Sequence, residues 1–281
     1  MPKSAHSTPW ADDRSALRAA CEPGVGLCTI VGIEGSFSRR LGAQLAVHPD
    51  GTITGSLADG CLEKQLASEI AAASGPVVKR FGAGSELIDF RLPCGSGLDV
   101  LIDPEPDRDL CCAAVERLDR REEAVLVLPA AGLPMRRYIP PLRLQLFGEG
   151  PELEALVALA GAAGVQANAH GKDALSLGRR PSGLAADAWT AAVLLFHDHE
   201  WEQAILEWAL ATPAFYLGAQ GGFEARRTRL ERLAANGAAP DQLARIRSPI
   251  GAIAHSREPG VLALSVLAEI VGAYEALHPH G

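Results

Sequence analysis

Several features that define other protein classes are missing from this sequence. No apolar run approaches the roughly 18 residues that a membrane-spanning helix needs. The first residues, Met1–Ala20, are polar and mixed, without the apolar core of a signal peptide. Positive charge is also scarce, because 26 lysines and arginines against 34 aspartates and glutamates give a formal net charge of -8. We therefore expect a cytoplasmic protein with no membrane partner and no nucleic-acid partner, since a nucleic-acid binder needs a concentrated basic face.

Paired cysteines are missing as well. The six cysteines form no CxxC pair and have no spacing typical of a zinc site. Without an export signal, we interpret them as reduced cytosolic thiols rather than as a disulfide framework. They stand at positions Cys21, Cys28, Cys61, Cys94, Cys111 and Cys112.

The sequence does contain enough apolar material for folded domains. Hydrophobic residues make up 48% of the 281 residues and charged residues 21%, so a sizeable core can form. A chain of this length is typical of two domains. The predicted fold class is α/β, with an N-terminal mixed α/β domain followed by a Rossmann-like parallel α/β domain.

The N-terminal domain is predicted over residues 1–128. Short apolar and β-branched runs alternate with glycine turns, and one segment with leucines four residues apart predicts a helix. Four prolines between residues 129 and 141 predict a linker after this domain. The main predicted elements are the strands Gly26–Glu34, Ala43–His48, Thr52–Ser56, Glu86–Leu92 and Leu98–Asp103 and the helix Gly60–Ala73.

The second domain is predicted over residues 142–281. The strand Leu142–Phe147 leads through a glycine turn into the helix Pro151–Ala163 and the strand Val165–Ala169, which is the order of a βαβ unit. Later apolar runs predict two more buried strands and three helices, and arginines on one of these helices are interpreted as a solvated face. These are the strands Ala191–Phe196 and Ala214–Leu217, the helices His199–Ala211, Phe223–Ala235 and Val261–Leu277, and the arginines Arg226, Arg227 and Arg229.

The segment Gly35–Gly42 is the first candidate binding site. Gly35 and Gly42 allow the backbone to turn its N–H groups toward an anion. Ser36 adds a hydroxyl donor, and the fork of Arg39 can hold a phosphate through paired hydrogen bonds. A solvated hairpin loop is the simpler interpretation of this segment when it is taken alone.

Two cysteine-containing turns are further candidates. Gly60 precedes Cys61 at a strand-to-helix turn, where the N–H groups and the dipole of the helix can stabilise a thiolate. Cys94 and Gly95 stand at a predicted hairpin tip, where glycine lets a ligand approach the backbone and the sulfur closely. The alternative is a small buried cysteine in each turn, with Glu63 as a capping charge in the first helical turn.

A glycine turn opens the second domain. Gly148 and Gly150 match the first two glycines of the GxGxxG fingerprint, but Leu153 replaces the third. The next strand is not followed by the acidic residue that binds ribose, and Glu149 would repel a diphosphate. The pattern therefore predicts a βαβ fold and disfavours NAD(P) as a cofactor.

A run of polar residues, His197-Asp198-His199, follows another buried strand of the second domain. The carboxyl ends of strands line the ligand crevice in open α/β sheets, so these histidines are candidates for a metal ligand or a general base. Because no third metal ligand is visible, Asp198 as a helix N-cap is the simpler interpretation.

Taken in order and with their spacing, these segments resemble the XdhC/CoxI family. Its first domain carries a GSxPRxxGA-like loop, an SGGCxE-like turn and a GxxCGG-like turn. Its second domain carries a THDH-like strand end, a YxG segment, a PIG motif and an SxLAEI-like helix. Ser38 and Ser96 depart from this pattern, where the family has proline and glycine. The matching residues are Gly35, Ser36, Arg39, Gly42, Ala43, Gly60, Cys61, Glu63, Cys94, Gly95, His197–His199, Tyr216–Gly218, Pro249–Gly251 and Ser265–Ile270.

The resemblance implies a maturation factor rather than an enzyme with a metabolite substrate. Such proteins bind the molybdenum cofactor, promote its sulfuration with a cysteine desulfurase, and insert it into an apo molybdenum hydroxylase of the xanthine dehydrogenase type. The molybdenum cofactor is then the cargo of the chain, which is expected to be a homodimer. Two other functions stay open: an NAD(P)-dependent oxidoreductase that uses the Rossmann-like domain, and a pure adaptor between the desulfurase and the apo-hydroxylase.

The residues expected to bind the cofactor come from both domains, and the two cysteines among them are candidate molybdenum ligands. They are Gly35, Ser36, Arg39, Gly42, Gly60, Cys61, Glu63, Cys94, Gly95, Gly148 and Gly150.

Overall fold

The computed structural model describes residues 12–58, 60–85 and 95–279, with the side chains of residues 12, 13 and 61 outside the description. The chain divides into one unit up to Pro140 and a second unit, Pro141–Leu277. The predicted α/β class is confirmed, with an antiparallel sheet in the first unit and a parallel sheet in the second. No helix in the described part of the chain has the length and apolar character needed to cross a membrane.

The first unit is built on a five-stranded sheet. Its strands are β1 (Gly26–Glu34), β2 (Gln44–Val47), β3 (Ile53–Gly55), β4 (Val77–Gly82) and β5 (Gly97–Asp103), and its helices are α1 (Asp12–Ala19), α2 (Cys61–Ala72) and α3 (Arg108–Asp119). The spatial order is β3-β2-β1-β5-β4, and every neighbouring pair is antiparallel. A separate ribbon pairs β6 (Ala124–Val127) with β7 (Met135–Tyr138).

Both faces of this sheet are covered, which explains why β1 is a nearly continuous apolar run instead of an alternating one. Leu27 and Val31 belong to a core that also includes residues of α1, α3 and the β6–β7 ribbon. Cys28 and Ile30 belong to a second core on the opposite face, which includes residues of α2. The central strand is therefore fixed from both sides.

The structure differs from the predicted elements of the first unit at two strands. The sequence of β4 has a weak apolar pattern, because Phe81 is its one buried residue. It forms a strand because it pairs with β5. β7 lies inside the stretch 129–141 that the sequence predicts as a linker, and its Arg136 and Tyr138 are buried. The predicted strand Glu86–Leu92 and Cys94 lie outside the described residues.

The second unit is built on a parallel sheet. Its strands are β8 (Arg143–Gly148), β9 (Gln166–His170), β10 (Thr190–Leu195), β11 (Tyr216–Ala219) and β12 (Ile246–Arg247), and its helices are α4 (Pro151–Ala162), α5 (Glu202–Leu210), α6 (Phe223–Ala235), α7 (Pro240–Ala244) and α8 (Pro259–Glu275). The order is β12-β11-β10-β8-β9. The chain moves from β8 to β9 on one side and to β10 on the other, so the direction of progression reverses between β8 and β10. In open α/β sheets, a crevice for ligands forms at such a point.

Candidate functional site

One edge of the antiparallel sheet collects the three segments that the sequence singles out in the first domain. Because neighbouring strands are antiparallel, the ends of β1 and β3 lie at the same edge as the beginnings of β2 and β5. This edge carries residues 35–43 between β1 and β2, residues 55–58 and 60–63 between the end of β3 and the first turn of α2, and residues 95–97 at the start of β5. We call these three segments the loop edge.

Arg39 connects the first two segments of the loop edge. Its Nε donates to the backbone oxygen of Ser56 at 3.2 Å, and its Nη2 donates to the Ser56 hydroxyl at 3.3 Å. The Arg39 side chain is half-buried. Toward the residues that the structure describes, Arg39 uses only these N–H groups of its guanidinium, so it can fix the loop and still bind an oxyanion.

Glu63 holds the turn before α2 from within. Its Oε1 accepts from the N–H groups of Leu57 at 3.0 Å and Ala58 at 2.6 Å, and its Oε2 accepts from the N–H of Gly60 at 2.8 Å. Only 3% of Glu63 is exposed. Burial alone would raise the pKa of this carboxyl, but the backbone N–H donors lower it below its ordinary value, so Glu63 is a carboxylate.

The hydroxyl of Ser56 links Arg39 to Glu63. Ser56 Oγ lies 3.4 Å from Glu63 Oε1 and 3.1 Å from the backbone oxygen of Ala58. The chain of contacts therefore runs from the first segment, through Ser56, to the carboxylate that shapes the start of α2.

The third segment is tied to the first by a serine. Ser96 is buried, and its hydroxyl donates to the backbone oxygen of Ser36. Gly35 has a φ of 82°, which favours glycine, and a Cβ added there would lie 3.6 Å from Ser96 Oγ. The residue that departs from the family pattern, Ser96, is thus the one that joins the two segments.

A buried arginine that the sequence analysis did not single out lies behind the first segment. Only 2% of Arg136 is exposed, and its Nε donates to the backbone oxygen of Gly42 at 2.7 Å. Its guanidinium carbon lies 4.6 Å from the centre of the Tyr138 ring. Gly42 has a φ of 81°, and a Cβ added there would lie 2.5 Å from Arg136 Cδ. Glycine is therefore required at this position by both backbone and packing.

Arg80, on β4, is a second residue that the sequence analysis missed. Its Nη1 donates to Asp99 Oδ2 at 3.1 Å, and its Nη2 forms an ion pair with Glu34. An added Cβ on Gly97 would collide with the Arg80 guanidinium. The pattern of β4 carried no signal for this role, because the arginine is one of several half-buried positions on that strand.

The structure describes the side chains of four cysteines, Cys21, Cys28, Cys111 and Cys112, but not those of the two predicted site residues. Cys61 is the first residue of α2, after Gly60 with a φ of 96°, while its side chain and all of Cys94 lie outside the description. Burial raises the pKa of the Cys21 and Cys111 thiols to about 12 each, and at Cys21 the hydrogen bond that its thiol donates to the Cys112 sulfur adds to the effect. These two are therefore thiols at neutral pH. Within the described residues, no group of three or more His, Cys, Asp or Glu side chains could hold a metal ion.

The crevice of the second unit is acidic at the point where a diphosphate would bind. Gly148 packs against β10, since a Cβ added there would lie 2.8 Å from Leu195 Cβ. Lys172 Nζ lies 3.7 Å from both Glu149 Oε2 and Asp198 Oδ2. A diphosphate would bind at the N-terminus of α4, where the helix dipole favours negative charge, and the carboxylates next to that position would repel it.

The polar segment after β10 does not cap the next helix in the way that its sequence suggested. α5 begins at Glu202, and Asp198 instead accepts a hydrogen bond from the N–H of Glu200 at 3.1 Å, so Asp198 is not the N-cap. His199 Nδ1 lies 3.1 Å from Glu202 Oε2.

The prediction that Arg229 is solvated is also wrong, because its side chain is 3% exposed and binds both carboxylate oxygens of Glu202 at 2.9 Å.

Comparisons with known proteins agree with the resemblance seen in the sequence. Residues 18–82 match the model of the XdhC and CoxI family, and residues 144–270 match the XdhC Rossmann domain. A molybdenum cofactor insertion chaperone of Escherichia coli, PaoD, is 31% identical over 284 residues, which cover 92% of this chain and 88% of that protein. A crystal structure described as a xanthine dehydrogenase from Bacillus halodurans is 19% identical and has a TM-score of 0.71, covering 95% of this chain and 97% of that one, which shows a shared fold. With both of its parts matched in order, and a relative of this identity over nearly the whole length, the chain belongs to the XdhC and CoxI family.

Proposed function

We propose that this chain is a maturation factor that binds the molybdenum cofactor as cargo and inserts it into an apo molybdenum hydroxylase of the xanthine dehydrogenase type. The name of the Escherichia coli relative, a molybdenum cofactor insertion chaperone, supports this class of function. The observation that carries the proposal is the hydrogen-bonded convergence of three glycine-containing segments at the loop edge. Such a convergence provides backbone N–H groups, an arginine and a helix N-terminus at one place.

The first segment supplies the anion-binding part of the proposed site. Gly35, Ser36 and Gly42 provide a turn of backbone and hydroxyl donors, and Arg39 provides the positive charge for the phosphate of the cofactor. Arg39 is already held by Ser56. This arrangement lowers the entropy that the side chain loses on binding, because its geometry is set before the ligand arrives.

The two cysteines supply the sulfur ligands of the proposed site. Cys61, in the first turn of α2, gains from the helix dipole, which favours a thiolate there. Gly95 is the first residue of the third segment of the loop edge, and Cys94 directly precedes it in the sequence. We propose that one of these thiolates binds molybdenum. The other would attack the outer sulfur of a persulfide on the cysteine desulfurase, which leaves a persulfide on this chain and releases the desulfurase cysteine as a thiolate. Glu63 is a positioning residue, since it fixes the turn from which α2 begins.

The second unit has less support as a cofactor site. Gly148 and Gly150 shape the turn between β8 and α4, and within the part of the chain that the structure describes, this crevice of the second unit is the only structural support for their predicted role in binding. The carboxylates of Glu149 and Asp198 around that turn argue against an NAD(P)-dependent oxidoreductase. Among the described residues, no structural feature specifically favours a pure adaptor. An adaptor should differ from a cargo protein in binding its partners without any cofactor.

The test is elemental analysis for molybdenum, with pterin fluorescence after oxidation, on the full chain purified from a host that makes the cofactor. We expect both signals in the wild type and a strong loss of both in Cys61→Ser or Cys94→Ser. The matched control is Cys112→Ser, which changes a half-buried cysteine on α3 of the same unit and should retain the cargo.

Two outcomes would contradict the proposal. Absence of molybdenum and pterin, even after incubation with released cofactor, would argue against a cargo site altogether. Equal retention by all three variants would leave a cargo protein but would remove both cysteines from its site. A pull-down with cofactor-free protein then separates the adaptor, which should still bind the hydroxylase and the desulfurase.

A further inference from the structure

The second unit contains a polar cavity that the proposed cargo function does not use. It has a volume of about 190 Å³. Its walls are formed by the carboxyl end of the edge strand β9 and by part of the segment 171–189 that leads to β10. Apart from the short 3₁₀ turn Lys172–Ala174, this segment forms no helix or strand. Its polar lining is His170, Ser176, Arg179, Arg180 and Ser182.

The lining carries positive charge that is not used in folding. The side chain of Arg179 makes no hydrogen bond or ion pair with any residue that the structure describes, and the same holds for the hydroxyls of Ser176 and Ser182. Arg180 forms a long ion pair with Glu207, with Nη2 3.3 Å from Oε2. One uncommitted guanidinium and two uncommitted hydroxyls in one cavity are the donors that a phosphate group requires.

The remaining polar residue, His170, offers an acceptor. Gln145 donates through Nε2 to the backbone oxygen of Ala185 at 3.0 Å, so its oxygen is the atom that lies 2.8 Å from His170 Nε2. His170 Nε2 therefore carries the proton and Nδ1 does not. Burial also lowers the pKa of His170, which keeps the ring neutral at neutral pH, and the ring stacks on Phe147 with centroids 5.1 Å apart.

We infer that this cavity binds a ribose-type sugar that carries a phosphate monoester. The phosphate binds Arg179 with the serine hydroxyls, and a sugar hydroxyl donates to His170 Nδ1. In nucleotide-binding parallel sheets, the corresponding strand end contacts a ribose through a carboxylate, and a nearby arginine accommodates a ribose phosphate. Here His170 takes the place of the carboxylate as the acceptor. The acidic groups around Glu149 disfavour a diphosphate, so the ligand is a monophosphate and not a dinucleotide.

The test is calorimetry on the full chain with adenosine 2′-monophosphate, adenosine and inorganic phosphate. We expect saturable binding of adenosine 2′-monophosphate and at least about tenfold weaker binding of each of the other two, because each lacks one half of the contacts. Inorganic phosphate that binds as tightly as the nucleotide would overturn the sugar half of the inference. Absence of binding by all three probes would overturn it entirely.

Variants locate the binding in this cavity. Arg179→Gln should weaken the nucleotide about tenfold or more, the loss typical of a charge-assisted hydrogen bond. Arg232→Gln, which makes the same change of charge at an exposed position on α6, should bind like the wild type. His170→Phe keeps the ring stacking and should weaken the nucleotide but not inorganic phosphate. Equal binding by Arg179→Gln and the wild type would overturn the assignment.

Discussion

Replacing Glu63 by glutamine should loosen the turn that precedes α2 without unfolding the rest of the first unit. Three backbone N–H groups donate to this carboxylate at 2.6 to 3.0 Å. Hydrogen bonds to a charged group contribute about 1.5–3 kcal/mol each, roughly twice the value of neutral ones. Glutamine keeps one oxygen as a neutral acceptor but places an NH₂ group against the remaining N–H donor.

From these contacts we expect the free energy of opening this turn to fall by about 2 kcal/mol, since part of the loss is recovered when water enters. Such a change should speed up the exchange of the affected amide hydrogens about thirtyfold. Hydrogen exchange followed by mass spectrometry reports on the amides of Leu57, Ala58 and Gly60 directly. The control is Glu116→Gln, which neutralises a glutamate whose side chain is 72% exposed and should leave the exchange unchanged.

Two results would refute the reasoning about Glu63. Unchanged exchange at residues 57–60 would mean that the carboxylate does not hold the turn in solution. An equal acceleration at every amide of the first unit would mean that Glu63 contributes to global stability and not to local geometry.

Three further changes test other parts of the structure. A side-chain hydrogen bond from Lys79 lowers the pKa of the Glu69 carboxyl, so its stabilisation is present at neutral pH and is lost as the pH falls through the folded pKa. Glu69→Gln should therefore cost about 0.5–1 kcal/mol in urea unfolding near neutral pH and almost nothing in acid, and a constant cost would contradict this. Gly42→Ala should lower the free energy of unfolding by about 2–3 kcal/mol because of its positive φ and the close packing behind it, and an unchanged Tm would argue against that contact. Glu202→Gln should cost about 3–5 kcal/mol because it leaves Arg229 buried without its counter-charge, and a loss below 1 kcal/mol in urea unfolding would show that the pair is not buried in solution.

The elements that could be predicted from the sequence are those whose pattern is set by burial alone. β1, α2 and the alternation of strands and helices after Leu142 follow from long apolar runs and helical spacing, which do not depend on a distant partner. The segments of the loop edge could likewise be found, because glycines and cysteines at turns are visible in a single sequence. That these segments are hydrogen-bonded to one another follows only from the order of strands in the sheet.

The elements that were missed depend on partners far away in the sequence. β4 has one buried residue and becomes a strand because β5 offers it an open edge. Arginines are usually surface residues, but Arg136 and Arg229 are buried because each donates to a specific buried acceptor. The acceptor is the backbone oxygen of Gly42 for Arg136 and the carboxylate of Glu202 for Arg229. No local pattern encodes such pairs, since an arginine in a helix or a short strand is solvated in most cases.

The contacts of Ser56 give the loop edge a thermodynamic property beyond its geometry. Ser56 accepts two hydrogen bonds from Arg39, and its hydroxyl also lies beside the carboxylate of Glu63. An oxyanion bound by the remaining N–H groups of Arg39 places negative charge near Ser56, which contacts the carboxylate that holds the turn from which α2 begins. Linkage is reciprocal, so the factor by which this oxyanion changes the affinity for a ligand at the start of α2 equals the factor by which that ligand changes the affinity for the oxyanion. The two ends of a bound molecule are then thermodynamically coupled, so the binding free energies of two fragments that each carry one end should not simply add.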